Sequence, residues 1–237
     1  MPGFPSHPAD RRFYATMSVV AAAVIVTGFA NTYGPKVITG APPVPAIVHL
    51  HAVLFACWLV LFVAQTVLVM RGRVALHMRL GNAGVVLAGL MLAMGVATAI
   101  ASARDGHRGI PGVEFPTPDG FLLLNVASIG VFSVLVAAGW WYRRRPQAHK
   151  RLMLAATVAG LMPPGISRLP LVSGRTEAIA ALAVAFLLVG PAYDLATRRR
   201  IHPAYAGLLL AVLVVPPVVL ALSGTGAWLA LAGWATR

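Results

Sequence analysis

Long apolar stretches separated by short polar connections make up most of the chain. The clearest stretch covers residues 46–70, where an uncharged run follows a proline-rich segment and ends at a basic turn containing Arg71 and Arg73. A helix rises ~1.5 Å per residue, so about 20 apolar residues cross the ~30 Å hydrocarbon layer of a bilayer. The pattern therefore predicts a transmembrane helix here and an all-α, polytopic helical bundle for the whole chain.

The same criterion predicts about seven spans. Residues 1–12 form a cytoplasmic N-terminal tail, and residues 13–237 form a single transmembrane helical domain. The predicted spans are residues 13–30, 46–70, 81–101, 121–142, 151–166, 177–195 and 203–222.

Two parts of this pattern allow alternatives. The first apolar run could be a cleaved signal peptide or a twin-arginine export signal, but its length, the lack of an A-x-A site and the later spans favour a first span. Pro216 and Pro217 are expected to break the last span. Residues 220–234 then continue that span or form a short re-entrant or interfacial piece. The connection at residues 102–120 is rich in glycine and proline and predicts an irregular loop.

The basic residues indicate an orientation. When successive connections are assigned to alternate sides, 13 of the 19 Lys and Arg residues fall on one side and 6 on the other. The positive-inside rule places the richer side in the cytoplasm, which puts the N-terminus inside and the C-terminus outside. The formal net charge of +13 is thus explained by topology, and we expect no nucleic-acid partner.

The composition excludes a soluble protein. Hydrophobic residues make up 59% of the chain and charged residues 11%, against roughly 25% charged residues in soluble domains. Cys57 is the single cysteine, so the chain has no internal disulfide framework and no cysteine-rich metal motif.

A polar stripe runs along the second predicted span. His51, Trp58 and Gln65 are spaced seven residues apart and therefore lie on one helix face. Polar side chains within a span face protein rather than lipid. His49 lies about 200° around the helix from His51.

The start of that span is a candidate cofactor site. Histidine nitrogens ligate haem iron and metals, and Arg168, expected at the same depth, could bind haem propionates. Glu177 could bind a metal or transfer protons. Alternatively, His49 and His51 hydrogen-bond to neighbouring helices in the headgroup zone, and Glu177 only stabilises a helix start that Thr176 caps.

A second candidate lies at the cytoplasmic interface, where His77, His149 and His202 each follow an arginine cluster. Two of them could ligate haem b if their helices adjoin. Dense guanidinium groups instead favour anionic lipid headgroups. Asp194 and Arg198, four residues apart, predict a simple ion pair on a helix surface. The arginines expected to contact headgroups are Arg71, Arg73, Arg79, Arg143, Arg144, Arg145, Arg198, Arg199 and Arg200.

Several stretches resemble a set of uncharacterised bacterial multi-pass membrane proteins. The resemblance covers residues 45–170 and rests on HLHAVLFACWLVLFVAQTVLVMRGRVALHMRLG and AHKRLMLAAT, with the H-x-H, H-x-R-L-G and H-K-R-L-M motifs. It implies a bacterial inner-membrane helical bundle and attaches no activity to it. The chain also looks similar to small b-type cytochromes and oxidase-assembly membrane proteins, which carry histidines at helix ends.

These observations favour a non-catalytic role. The chain contains no Walker loop, dinucleotide fingerprint, H-E-x-x-H motif or G-x-S-x-G elbow. We expect an accessory or assembly component of a membrane complex, contacting other membrane subunits, or a small-molecule binder. One alternative is an electron-transfer protein with haem b. Another is a small-solute transporter, based on repeated basic helix starts and on broken helices at Pro163-Pro164 and Pro216-Pro217.

Overall fold

The structure is a computed structural model that describes residues 7–110 and 112–237, with only the backbone described at residues 210–212. Residues 1–6 of the predicted tail lie outside this part of the chain. In chain order, the elements are α1 (Asp10–Thr39), α2 (Ala46–Met70), α3 (Val74–Arg104), β1 (Gly109–Ile110), β2 (Val113–Glu114), α4 (Pro118–Trp141), α5 (Pro146–Gly160), α6 (Met162–Ile166), α7 (Thr176–Arg198), α8 (Ala204–Leu222) and α9 (Gly226–Ala235).

Six of these helices are long and apolar enough to cross a membrane: α1, α2, α3, α4, α7 and α8. The chain is therefore an all-α, polytopic bundle, and this prediction is confirmed. The fifth predicted span, residues 151–166, corresponds to α5 and α6, which are 15 and 5 residues long. The seven-span arrangement and its sidedness stay predictions.

Helix α5 lies at the centre of the bundle. It packs against α1, α4, α7 and α8, and most of its residues from Arg151 to Gly160 are buried. Pro163 and Pro164 occupy the first turn of α6, where the missing amide hydrogens cost little. The helix axis is therefore interrupted at Leu161, and α5 and α6 together run beside α1.

Glycines allow the closest helix contacts. The backbones of α1 and α6 approach so closely that a methyl group on Gly28 would overlap the carbonyl of Gly165. A methyl group on Gly160 of α5 would likewise overlap Phe132 of α4. These contacts place α5 and α6 directly against α1 and α4.

The C-terminal region differs from one prediction. Helix α8 continues through Pro216 and Pro217 to Leu222, so the predicted break is wrong. Prolines are tolerated within membrane helices where surrounding groups satisfy the freed carbonyls. A separate helix, α9, follows, and its Trp228 Nε1 donates to the carbonyl of Asp119 at 2.9 Å.

The connection between α3 and α4 contains a short antiparallel sheet rather than only irregular loop. Strands β1 and β2 pair with Gly109 opposite Glu114. Thr176 Oγ1 donates to the carbonyl of Gly112 at 2.5 Å and makes no cap for α7, whose N-cap is Arg175. The predicted Thr176 cap is therefore wrong, because this loop takes its hydroxyl.

Candidate functional site

Charged and histidine side chains from several helices gather at one end of the bundle, which we call the basic end. It comprises the N-terminal turns of α1, α3 and α5 and the C-terminal turns of α4 and α7. Contacts between Asp10 and Lys150, between Asp10 and Arg198, and between His77 and His149 bring these turns together. The basic end holds two neighbouring clusters, one ionic and one of histidines.

A buried ion pair joins α5 to α7. Arg151 Nε donates to Asp194 Oδ2 at 2.7 Å, and Arg151 Nη2 donates to Asp194 Oδ1 at 2.5 Å. Both side chains are 0% exposed. Arg151 Nη1 also donates to the carbonyl and the side-chain Oε1 of Gln147. This two-pronged geometry uses the planar fork of the guanidinium group and is the strongest form of such a pair.

Asp10, at the start of α1, forms a second ionic centre. It accepts from Arg198 Nη2 at 2.5 and 2.6 Å and from Lys150 Nζ at 2.5 Å. The hydroxyl of Tyr193 donates to it at 2.9 Å. The ring of Tyr193 in turn stacks on Phe13, with ring centroids 3.8 Å apart. The first turn of α1 is thus fixed to both α5 and α7.

Arg198 links the two centres, because its Nη1 also donates to Asp194 Oδ1 at 3.3 Å. The resulting charge network is Asp10–Arg198–Asp194–Arg151. The predicted ion pair between Asp194 and Arg198 is present, but its predicted place on a helix surface is wrong, since Asp194 is 0% exposed and the Arg198 side chain 2%. Arg198, which the sequence predicts to contact lipid headgroups, instead directs a side chain that is 2% exposed to Asp10 and Asp194.

His202 belongs to this network rather than to a histidine ring. Its backbone N–H donates to Asp194 Oδ2 at 3.2 Å, and its Nδ1 accepts from the N–H of Ala204 at 3.0 Å. Burial lowers the pKa of the His202 imidazole, which favours the neutral ring that an accepting Nδ1 requires. His202 therefore helps to start α8.

The other two histidines of the predicted cytoplasmic cluster, His77 and His149, form a pair. The rings of His77 and His149 have centroids 6.0 Å apart and planes at 77°. His149 Nδ1 lies 2.8 Å from the carbonyl of Gly139. Nδ1 of His77 and Oε1 of Gln65 are buried without a hydrogen-bond partner among the described residues. The junction of α2, α3 and α5 thus contains polar atoms that nothing described here satisfies.

The predicted polar stripe on α2 faces three different surroundings. Trp58 is 3% exposed, donates from Nε1 to Thr157 Oγ1 at 3.2 Å and packs edge-on against Phe132. His51 stacks on Phe55 of its own helix at 4.0 Å. Gln65 lies near Gly81 of α3. Trp58 therefore connects α2 to α5, whereas His51 and Gln65 lie nearer to opposite ends of α2.

At the far end of the bundle, each predicted ligand makes contacts of its own. His49 Nδ1 lies 2.5 Å from the hydroxyl of Tyr33. Arg168 donates to the carbonyl of Pro164 at 2.7 Å and lies over the ring of Phe29. Glu177 is exposed in the first turn of α7. Within residues 7–110 and 112–237, no group of three or more His, Cys, Asp or Glu side chains is placed to hold a metal ion.

The ionic network was only partly within reach of sequence reasoning. Arg151 and Asp194 both fall inside predicted spans, and charged residues within spans require partners. That signal identifies both residues as buried and paired. The same signal does not identify Asp10 as part of the network, because the packing of the bundle alone determines which helices lie next to α1.

Comparisons with known proteins found no protein-family model, curated protein or solved structure that matches this chain.

Proposed function

We propose that this integral membrane protein is a non-catalytic accessory or assembly component of a bacterial inner-membrane complex. In this proposal, the basic end faces the cytoplasm and a helix of another subunit packs against α2. The observation that carries the proposal is the closed charge network, which ties α1, α5 and α7 to one another. A fixed framework of this kind suits a component that positions other subunits.

The network also weighs against the transporter alternative. Alternating access requires groups of helices to move against each other around a central site. Here Asp10 and Asp194 both bind side chains of other helices, and separating those helices would leave buried charges unpaired. The continuity of α8 through Pro216 and Pro217 further removes one of the two predicted broken-helix sites.

The outer face of α2 supports the choice of partner. A shallow groove of about 430 Å³ lies there, lined by small and branched side chains that include Ala56, Cys57 and Ala64. Val53 and Val60, which also line it, are 57% and 72% exposed. Small residues let another helix approach closely within a membrane. A transmembrane helix of a second subunit is therefore the occupant that we propose.

The single cysteine of the chain allows a direct test. Cys57 is exposed within the groove, so a thiol-reactive photo-crosslinker can be attached there in native membranes. We expect one specific adduct with another membrane subunit. The matched control carries the probe on α7 in a Cys57→Ala, Val184→Cys variant, because Val184 is 44% exposed.

The control variant should form no such adduct. Equal adducts from both positions would indicate random collision, and adducts with lipid alone from Cys57 would show a lipid-facing groove. Either result would contradict the proposed partner.

We also propose that anionic phospholipids occupy the rim of the basic end. The Arg143 guanidinium lies 4.0 Å from the centre of the Trp140 ring, an arrangement typical of the membrane–water interface. The remaining arginines of this rim are exposed, namely Arg71, Arg73, Arg79, Arg144, Arg145, Arg199 and Arg200.

The histidine pair favours haem b as a second candidate function. Two imidazoles on opposite sides of one metal ion have ring centres about 6 Å apart, given metal–nitrogen bonds of roughly 2.0–2.1 Å. The separation between His77 and His149 is 6.0 Å. A donor bond from His149 Nδ1 to the carbonyl of Gly139 would leave Nε2 free for a metal. Haem bound there would supply one-electron transfer.

An absorption spectrum, reduced minus oxidised, of the purified protein tests this candidate. The haem proposal predicts sharp bands that His77→Ala and His149→Ala each abolish. His49→Ala is the matched control and should leave the bands unchanged, because His49 is in the first turn of α2, far from the basic end where His77 and His149 lie. A flat spectrum of the unsubstituted protein would remove haem from consideration.

A further inference from the structure

Two stretches of the chain share one pattern at the turns that enter α3 and α5. Residues 71–80 and 143–152 both read R-x-R-x-x-x-H-x-R-L. The second arginine of each stretch, Arg73 or Arg145, is the N-cap of its helix. The histidine follows four residues later in both cases. The shared pattern therefore gives α3 and α5 equivalent first turns.

The histidines of these two turns are held in the same way. The ring of His77 hydrogen-bonds to the backbone carbonyl of Gln65 in α2. Nδ1 of His149 lies 2.8 Å from the carbonyl oxygen of Gly139 in α4. A carbonyl oxygen only accepts, so each neutral ring donates from one nitrogen and keeps a lone pair on the other. Metal-ligating histidines are anchored in this manner. The two turns therefore supply equivalent ligand nitrogens on rings whose centroids are 6.0 Å apart.

The N-cap arginines lie one helical turn before the histidines. Residues four apart lie on the same face of a helix, so Arg73 and Arg145 continue the two histidine faces beyond the helix starts. Both side chains are exposed, and neither guanidinium forms an ion pair with a described residue. A guanidinium group binds a carboxylate through two parallel hydrogen bonds. The two turns thus offer two carboxylate sites beside two metal ligands.

We propose that Arg73 and Arg145 bind the two propionates of a haem b that His77 and His149 ligate. This inference rests on the haem candidate stated above and adds the residues that orient the macrocycle. Haem b carries both of its carboxylates on one edge, and two equivalent arginines beside two equivalent ligands match that edge. Both arginines also belong to the rim that we assign to anionic phospholipids. A lipid phosphate is therefore the competing anion, which the test has to separate from a propionate.

Haem retention by the purified, haem-loaded protein tests this inference. Arg73→Gln and Arg145→Gln should each release haem to excess apomyoglobin several-fold faster than the unsubstituted protein, because the charged bond to one propionate is lost. Each should also lower the midpoint potential of the haem, because it removes a positive charge that favours the ferrous state. Arg71→Gln and Arg144→Gln are the matched controls. They remove exposed arginines of the same two turns that are not N-caps, and they should change neither the rate nor the potential.

Reconstitution with haem dimethyl ester separates a propionate from a lipid phosphate. The ester has no carboxylate, so the two N-cap variants and the unsubstituted protein should lose it at the same rate. A difference in rate that persists with the ester would show that the arginines act through lipid and would overturn the inference. Unchanged retention and potential of haem b in both N-cap variants would overturn it too, while leaving haem binding intact. A flat absorption spectrum of the unsubstituted protein would remove the haem candidate and this inference together.

Discussion

Replacing the two partners of the buried ion pair separately and together should give strongly unequal losses of stability. In Asp194→Leu, Arg151 stays buried and keeps its bonds to Gln147 but loses the carboxylate that its Nε and Nη2 bind. In Arg151→Met, Asp194 keeps Arg198 Nη1 and the backbone N–H of His202 as donors. The leucine variant should therefore be the less stable of the two.

The magnitudes follow from the burial of both side chains. Breaking a fully buried pair costs about 3–5 kcal/mol, whereas replacing both partners with apolar groups of similar volume is often neutral or stabilising. We expect Asp194→Leu to lower the free energy of unfolding by about 3–5 kcal/mol and Arg151→Met by about 2–3 kcal/mol. The double variant should lose no more than about 1 kcal/mol.

SDS titration in mixed micelles measures the free energy of unfolding of the unsubstituted protein, the two single variants and the double variant under one condition. The difference between the double variant and the sum of the single variants gives the coupling free energy. A coupling of several kcal/mol is expected. Additive losses of stability would contradict the buried ion pair, because they would mean that Arg151 and Asp194 do not stabilise each other in the folded bundle.

Three further substitutions, two of them with a matched control substitution, test the packing and the network by the same titration. Asp10→Asn should lower the free energy of unfolding by roughly 2–3 kcal/mol, because it weakens the charged hydrogen bonds to α5 and α7. Its matched control, Asp105→Asn at an exposed position, should change the free energy of unfolding by less than about 0.5 kcal/mol. Gly28→Ala should cost about 1–3 kcal/mol through overlap with α6. Gly34→Ala, on the same helix with open space around it, should be neutral or stabilise by up to about 1 kcal/mol. Trp58→Phe should cost about 1 kcal/mol from the lost hydrogen bond to α5. Equal effects within either matched pair, or an unchanged Trp58→Phe protein, would contradict the contacts described.

The apolar pattern predicts the fold class because long uncharged runs have few alternatives in a bilayer. It underestimates the lengths of α1 and α3, which cover Asp10–Thr39 and Val74–Arg104 rather than residues 13–30 and 81–101, because both helices continue through polar and charged end turns. It also predicts a break at Pro216 that the helix does not show. A proline rule based on a lost hydrogen bond cannot foresee how neighbouring groups compensate for it.

The site was less accessible to sequence reasoning than the fold. The pairing of His77 with His149 depends on α3 and α5 meeting at one end of the bundle, and the sequence does not show which helices are neighbours. Asp194 lies four residues from Arg198, so local spacing favoured a surface pair. Asp194 also pairs, more closely, with Arg151, 43 positions away, and helix spacing along one segment carries no information about such a contact.

Native mass spectrometry of the protein extracted from its own membranes in mild detergent tests the central claim, that it is a component of a larger complex. We expect a mass that exceeds the 24.8 kDa of the chain by the mass of another membrane subunit. An Ala56→Trp variant, which fills the groove on α2, should return the mass to that of the chain alone. A mass equal to one chain, or to a multiple of it, in the unsubstituted protein would contradict the claim.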